Sequence, residues 1–350
     1  MTSLDIARAS LRGVPTYAPE ALSCAIDLRD NINLFGVPPA ALAAVRAIEE
    51  RSLTQYPSVA GGSLVSVLAD QLGVRPSEIV TGCGSDDVLD AAFRAVAEPG
   101  MVLAHPSPSF SMVPVFARLN SLIPVAVPLA PDGAADADAL LATGARIIYL
   151  CSPNNPTGTT TPAEVVRRIV RASDAIVILD GAYAEFATEL EDLRAEAPAL
   201  DRLLVVRTFS KAWGLAGLRV GYAIGSATLA EAVQKSRGPY KLSAVAERAA
   251  VAALTQDQAW MRRHALEAVE CRERVEGELR ELGLSPLDSR GNFVCVPVPN
   301  AHAVADQLAQ RGIAVRAFTG LPVFGDALRI GMAPWPVVEQ FVTAMRAVFA

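Results

Sequence analysis

The chain has 350 residues, and 31 Lys+Arg against 37 Asp+Glu leave a formal net charge of −6, with 51% hydrophobic and 19% charged residues. That composition excludes a disordered chain, and an acidic balance without any Lys/Arg cluster excludes a surface built to bind nucleic-acid phosphates. No run approaches the roughly 18 uninterrupted apolar residues that span a bilayer, so no membrane partner is expected. At roughly 150 residues per domain, the length suggests about two domains.

The N-terminal 38 residues, marked by Pro15, Pro19 and Pro38, read as an extended arm. Met1-Thr-Ser-Leu-Asp5 carries no charged-then-apolar export pattern. Cys24, Cys83, Cys151, Cys271 and Cys295 are scattered, with no Cys-x-x-Cys pair. They read as small apolar residues of a reducing compartment, and neither a metal nor a disulfide is expected. The expected location is the cytoplasm.

From about residue 79 to 225, β-branched runs alternate with helical stretches: Ile79 to Thr81, Met101 to Ala104, Ile123 to Val127, Arg146 to Cys151, Ala175 to Asp180, Leu203 to Thr208 and Val220 to Ile224. This is the pattern of a parallel sheet covered by helices on both faces, in which ligands bind where strands end. Three runs lead directly into polar, Gly/Pro-marked turns: Cys151 to Gly158, Asp180 to Tyr183, and Thr208 to Arg219. After Pro239 a long helical tract, about Ser243 to Glu281, precedes a strand at Asn292 to Val298, a helix, and short strands at Ile313 to Arg316 and Leu328 to Met332. The expected organisation is an arm (1–38) packed with a small α+β domain (241–350), and a large α/β domain (39–240) forming an αβα sandwich around a mainly parallel sheet.

Of the 31 cationic residues only three are Lys: Lys211, Lys235 and Lys241. A chain that uses Arg for generic surface charge retains Lys where a primary amine is needed, and three candidates remain. Lys211 follows an apolar strand, between the hydroxyls of Thr208 and Ser210 and the Gly214, Gly217 and Arg219 that follow. The segment suits a phosphorylated aldehyde cofactor, or else a plain surface turn. Asp180 ends the most apolar strand, where a carboxylate needs a partner: a protonated pyridine nitrogen, a metal, or the backbone of a helix start. Tyr183 stands close enough in sequence to reach the same ligand. Gly82-Cys-Gly-Ser-Asp-Asp87 opens a helix and would serve either as a phosphate cradle or simply as an N-terminal cap.

Together these residues resemble the fold-type I pyridoxal-phosphate (PLP) enzymes, most closely their aminotransferase branch. The likeness runs from about Tyr17 to Trp335. Ser152-Pro-Asn-Asn-Pro-Thr-Gly158 and Arg207 to Arg219 are similar to histidinol-phosphate and bacterial aromatic aminotransferases. The resemblance implies Lys211 as the Schiff-base lysine and Asp180 as the partner of the pyridine nitrogen. It places Asn155 and Tyr183 at the phenolic oxygen, and the Ser85 and Asp86 amides with Thr208, Ser210 and Arg219 around the phosphate. Phe110 falls where the family usually stacks a Tyr on the ring. Tyr56 matches a residue that reaches the neighbouring subunit's cofactor, implying a homodimer with shared sites. Arg329 matches the arginine that takes the substrate α-carboxylate.

The reaction so implied is amino transfer between a small-molecule donor and a 2-oxo acid, with Lys211 acting as base at Cα. Arg219 and the cofactor ring are expected to lower the Lys211 pKa. The expected substrate pair is histidinol phosphate and 2-oxoglutarate, as in histidine biosynthesis, with Arg316, Tyr17 and Lys241 around the substrate phosphate. An aromatic amino acid and a phosphothreonine-type decarboxylation are the alternatives. Three positions depart from the family pattern near the substrate: Ile32 and Gly181 each replace a Glu, and Lys241 replaces an Asn.

Overall fold

All seven apolar runs between residues 79 and 225 pair into one sheet in the computed structural model, which describes residues 8–14, 16, 24–187 and 191–349. In chain order the strands are β1 (Ile26–Asp27), β2 (Ile79–Cys83), β3 (Val102–Ser107), β4 (Ile123–Pro128), β5 (Ile147–Cys151), β6 (Ile176–Asp180), β7 (Leu203–Thr208), β8 (Val220–Ile224), β9 (Phe293–Pro297), β10 (Ile313–Ala314), β11 (Arg316–Leu321) and β12 (Gly325–Gly331). The seven-stranded sheet has the order β2-β8-β7-β6-β5-β3-β4. Strands β5 to β8 are buried at every position. Burial on both faces explains why they read as apolar runs rather than as alternation.

One strand departs from the expected parallel pattern: β8 runs antiparallel to both neighbours, β2 and β7. The Phe209-to-Arg219 connection holds only one short 3₁₀ turn, Ala216–Leu218. A parallel return needs a crossover of a dozen or more residues, so this link must turn back as a hairpin. The reversal places the start of β8 beside the ends of its neighbours, with Gly221 opposite Thr208 and Val220 opposite Cys83. The ends of β2, β5, β6 and β7 and the start of β8 therefore share one edge.

Two buried clusters cover the faces of this sheet, one around Ile148, Leu179, Val205 and Ile169, the other around Leu89, Phe93, Ile178 and Val206. Beyond the sheet, the expected single helical tract is two helices, Ala244–Gln256 and Gln258–Glu281. The break falls at buried Asp257, whose carboxylate accepts the Ala40 and Ala41 N–H groups at 3.1 and 3.0 Å and so caps the helix Pro39–Arg46. Strands β11, β12 and β9 form an antiparallel sheet in that order, and β1 of the arm pairs with β10. A third cluster ties these pieces together through Leu28, Phe293, Ile330 and Phe341, and it includes Tyr183 and Ala212 from the loops at the shared strand edge. Arg329 on β12 is thereby held over that edge. No described helix is long and apolar enough to cross a membrane.

Candidate active site

The shared edge opens into a cavity of about 700 Å³ lined by residues from the arm, the loops of the large sheet and strands β11 and β12. Among the expected residues it gathers Ser85, Asp86, Phe110, Asn155, Asp180, Tyr183, Thr208, Ser210, Lys211, Arg219, Arg316 and Arg329.

Asp180, at the end of β6, is 3% exposed and is clamped at both oxygens. Tyr149 Oη donates to its Oδ2 at 2.8 Å, and the Ala182 N–H donates to its Oδ1 at 3.1 Å. Burial nevertheless dominates and pushes its pKa up to about 6, which neighbouring Asp86 reinforces against the two hydrogen bonds and Lys211. A carboxylate held this way gains by accepting a proton-bearing partner from the cavity. Tyr149 was not anticipated from sequence. The one signal is a hydroxyl-bearing ring inside the otherwise aliphatic run Ile147 to Leu150, which must find a buried acceptor.

Lys211 stands in the turn after β7, with Nζ donating to the Asp30 carbonyl at 3.0 Å and lying 5.6 Å from the centre of the Tyr183 ring. Its pKa is lowered to about 8, first by burial, then by Arg329. Arg219 lowers it too, as expected, though less than Arg329 does; its guanidinium also donates to Asp86 Oδ2 at 3.0 Å. Tyr183 is 3% exposed, with burial raising its hydroxyl to about 12; its oxygen accepts from Asn31 Nδ2 at 3.3 Å.

The cradle beneath these groups is built by two glycines. A Cβ on Gly221 would sit 2.3 Å from the Ser85 amide nitrogen, and one on Gly84 would sit 2.7 Å from Arg219 Nη2. Their absence lets β8 and the guanidinium close on the start of the helix Gly84–Val96, whose N–H groups face anions favourably. Arg219 itself adopts φ 53°, an uncommon conformation for a non-glycine residue, which folds its side chain back to within 3.5 Å of Ser210 Oγ. Thr208 Oγ1 accepts the Ser210 N–H at 3.1 Å and donates to Ser210 Oγ at 3.0 Å, so both hydroxyls are fixed at the strand end. Asp86 contributes its carboxylate to Arg219 as well as its backbone to the helix start.

Arg329 is 7% exposed; it donates to Asn155 Oδ1 and to the Arg29 carbonyl, while its Nε has no partner. The Phe293 and Phe318 ring centroids each lie 5.7 Å from its guanidinium carbon. A buried cation whose observed partners are neutral oxygens is poised to receive a carboxylate. Arg316, its register partner across β11 and β12, is two-thirds covered and pairs with Asp30 Oδ1 at 3.0 Å.

Three of the expected residues do not line this cavity as described. Lys241 does not line the cavity: Nζ pairs with Asp87 Oδ1 at 2.8 Å, fixing the far side of the Gly84–Val96 helix start. Tyr56 is 83% exposed and stacks on Tyr240 at 4.6 Å, outside the cavity of its own chain. Tyr17 lies outside the described residues. Ile32 lines the cavity wall. At Gly181, a Cβ would meet Arg207 Cδ at 3.1 Å; that arginine forms a buried ion pair with Glu185 at 3.1 Å.

A primary amine lowered toward neutrality, a buried carboxylate open to a protonated partner, and a glycine-built anion cradle together fit PLP. The family model for aminotransferase class I and II matches residues 24–344, and the chain belongs to that family. It is 37% identical over 354 residues to an aromatic amino acid aminotransferase of Corynebacterium efficiens, covering 97% of this chain and 98% of that one. A histidinol-phosphate aminotransferase of Haloarcula marismortui is 35% identical over 331 residues, covering 92% and 89%. The solved structure of histidinol-phosphate aminotransferase from Sinorhizobium meliloti in complex with pyridoxal-5'-phosphate matches with a TM-score of 0.90 and 30% identity, covering 98% and 97%. The protein is a PLP-dependent aminotransferase of fold type I.

The position of Lys211 has a measurable consequence. In cofactor-free protein, raising the pH through about 8 removes its proton and frees the nucleophilic amine. Acylation of Lys211 by an amine-directed reagent, followed by mass mapping of its peptide, should be half-maximal near pH 8; a midpoint above pH 10 would contradict burial and the positive charge of Arg329 as causes.

Proposed function

We propose that the protein transfers the amino group of an aromatic amino acid to 2-oxoglutarate, with glutamate as donor in the reverse direction. The observation that carries this reading is the buried Arg329 fork beside an apolar wall of Ile32, Phe110, Met112, Phe116 and Phe318. A carboxylate would replace the neutral oxygens on Arg329, and an aryl ring would face the wall. The two cations expected around a substrate phosphate are already engaged, Arg316 by Asp30 and Lys241 by Asp87.

Bound PLP supplies an electron sink for the pair left at the substrate's Cα. Asp180 would hold the proton on the ring nitrogen, which would make that sink effective. Asn155 and Tyr183 would donate to the phenolic oxygen. The Ser85 and Asp86 amides, Thr208, Ser210 and Arg219 would hold the phosphate, and Phe110 would pack against the ring. Lys211 Nζ, partly neutral near pH 7 to 8, would accept the proton from the substrate's Cα, and as the ammonium so formed would be the proton donor that completes the transfer. Arg329 fixes the α-carboxylate so that the Cα–H bond is aimed at Nζ.

Histidinol phosphate is the second reading, favoured by Arg316 standing directly across the strand pair from Arg329 on the cavity wall. Steady-state kinetics separate the two. The aromatic reading expects kcat/KM for phenylalanine or tyrosine at least about tenfold above that for histidinol phosphate, and a change of less than about threefold for phenylalanine in Arg316→Ala. The reverse preference, with Arg316→Ala raising the KM for histidinol phosphate about tenfold or more, would replace it with the phosphate reading, since a buried charged contact is worth about 2–5 kcal/mol and a surface pair under about 1.

We further propose a homodimer with shared sites. The support is the exposed Tyr56–Tyr240 stack together with the exposed Leu53 (67%) and Val59 (53%) close to Tyr56 in sequence, apolar side chains suited to a second copy. Mixing inactive Lys211→Ala with inactive Tyr56→Ala subunits should restore activity, because one of the two sites is then intact. Verified subunit exchange without recovery would refute sharing.

A further inference from the structure

Tyr149 is entirely buried in β5, one strand over from Asp180, with Ile178 as its register partner. Its surroundings are Leu89, Phe93, Ile178 and Val206, which a phenylalanine would satisfy equally well. The hydroxyl therefore needs a reason, and its 2.8 Å donation to Asp180 Oδ2 provides one. Tyr149 does not line the cavity, whereas Asp180 does, so the phenol approaches the carboxylate from behind. The other polar neighbour on this side, Cys151, lies opposite Asp180 in register and turns its Sγ to the Pro153 carbonyl at 3.3 Å.

We infer that Tyr149 is a positioning residue for transamination: with the Ala182 N–H it clamps the Asp180 carboxylate from behind, aiming it at the ring nitrogen. This rests on the reading of Asp180 as the partner of that nitrogen. The charged groups facing the carboxylate are Asp86, which opposes its ionisation, and Lys211, which favours it, each weaker than burial and the Tyr149 bond. Without the phenol, burial would act on a carboxylate held at one oxygen only, and its grip on a cationic ring would weaken.

The test compares equilibrium binding to cofactor-free protein of PLP and of its analogue with carbon in place of the ring nitrogen. Wild type should bind PLP more tightly than the carbon analogue. Tyr149→Phe should lose about tenfold in PLP affinity and less than about twofold for the analogue, because only PLP presents a nitrogen to Asp180. Equal losses for both ligands would make Tyr149 a structural residue and overturn the inference, as would no loss for either. Asp180→Asn tells the two readings apart. If that variant loses the preference for PLP while Tyr149→Phe keeps it, the inference alone falls; if Asp180→Asn keeps the preference, the reading of Asp180 falls and takes the inference with it.

Discussion

The structure depends on one costly arrangement: a carboxylate buried at the end of the apolar strand β6. Asp180 cannot be left alone in that setting, and each neighbouring element answers it. Strand β5 supplies the Tyr149 hydroxyl, the following turn supplies the Ala182 amide, and β7 ends in the turn that carries Lys211. These bonds only partly offset burial, so the carboxylate retains affinity for a further proton-bearing partner. A pyridine nitrogen would meet that demand, and the same edge of the sheet holds the Lys211 amine and the glycine-built cradle, which fit the rest of PLP.

The arm then closes the site from above. Within Arg29 to Asn31, the Arg29 carbonyl meets Arg329, the Asp30 carbonyl meets Lys211, the Asp30 carboxylate meets Arg316, and Asn31 meets Tyr183. Asn31 is itself held by Asn292, which donates to its carbonyl at 3.0 Å. One short segment thus touches Lys211, both arginines and the Tyr183 phenol, and links the large sheet to the C-terminal one. A carboxylate entering the cavity would take over the contact now made by the Arg29 carbonyl.

Much of this was legible because the chemistry lies in contiguous stretches. Asp180, Lys211 and Arg219 each follow or precede an apolar run that could only be a buried strand, and strand ends are where such sheets bind ligands. What could not be read depends on partners distant in sequence. The reversed β8 follows from the length of its link, a signal present but outweighed by the apolar pattern. The helix break at Asp257 exists because its carboxylate caps a helix that begins at Pro39. Lys241 looked free for substrate until the fold set it against Asp87, and the Asp30–Arg316 pair spans nearly the whole chain. Tyr149 was hidden because a tyrosine in a core strand reads as packing until its acceptor is seen.

The central claim is that Lys211 is the amine facing the carboxylate-anchored cofactor. Its most direct measurement is borohydride reduction of the PLP-loaded protein, followed by mass mapping of the pyridoxyl label on all three lysines. The account predicts the label on Lys211 alone, because an imine requires a primary amine and only this one lines the cavity. A label on Lys235 or Lys241, with Lys211 unmodified, would contradict it.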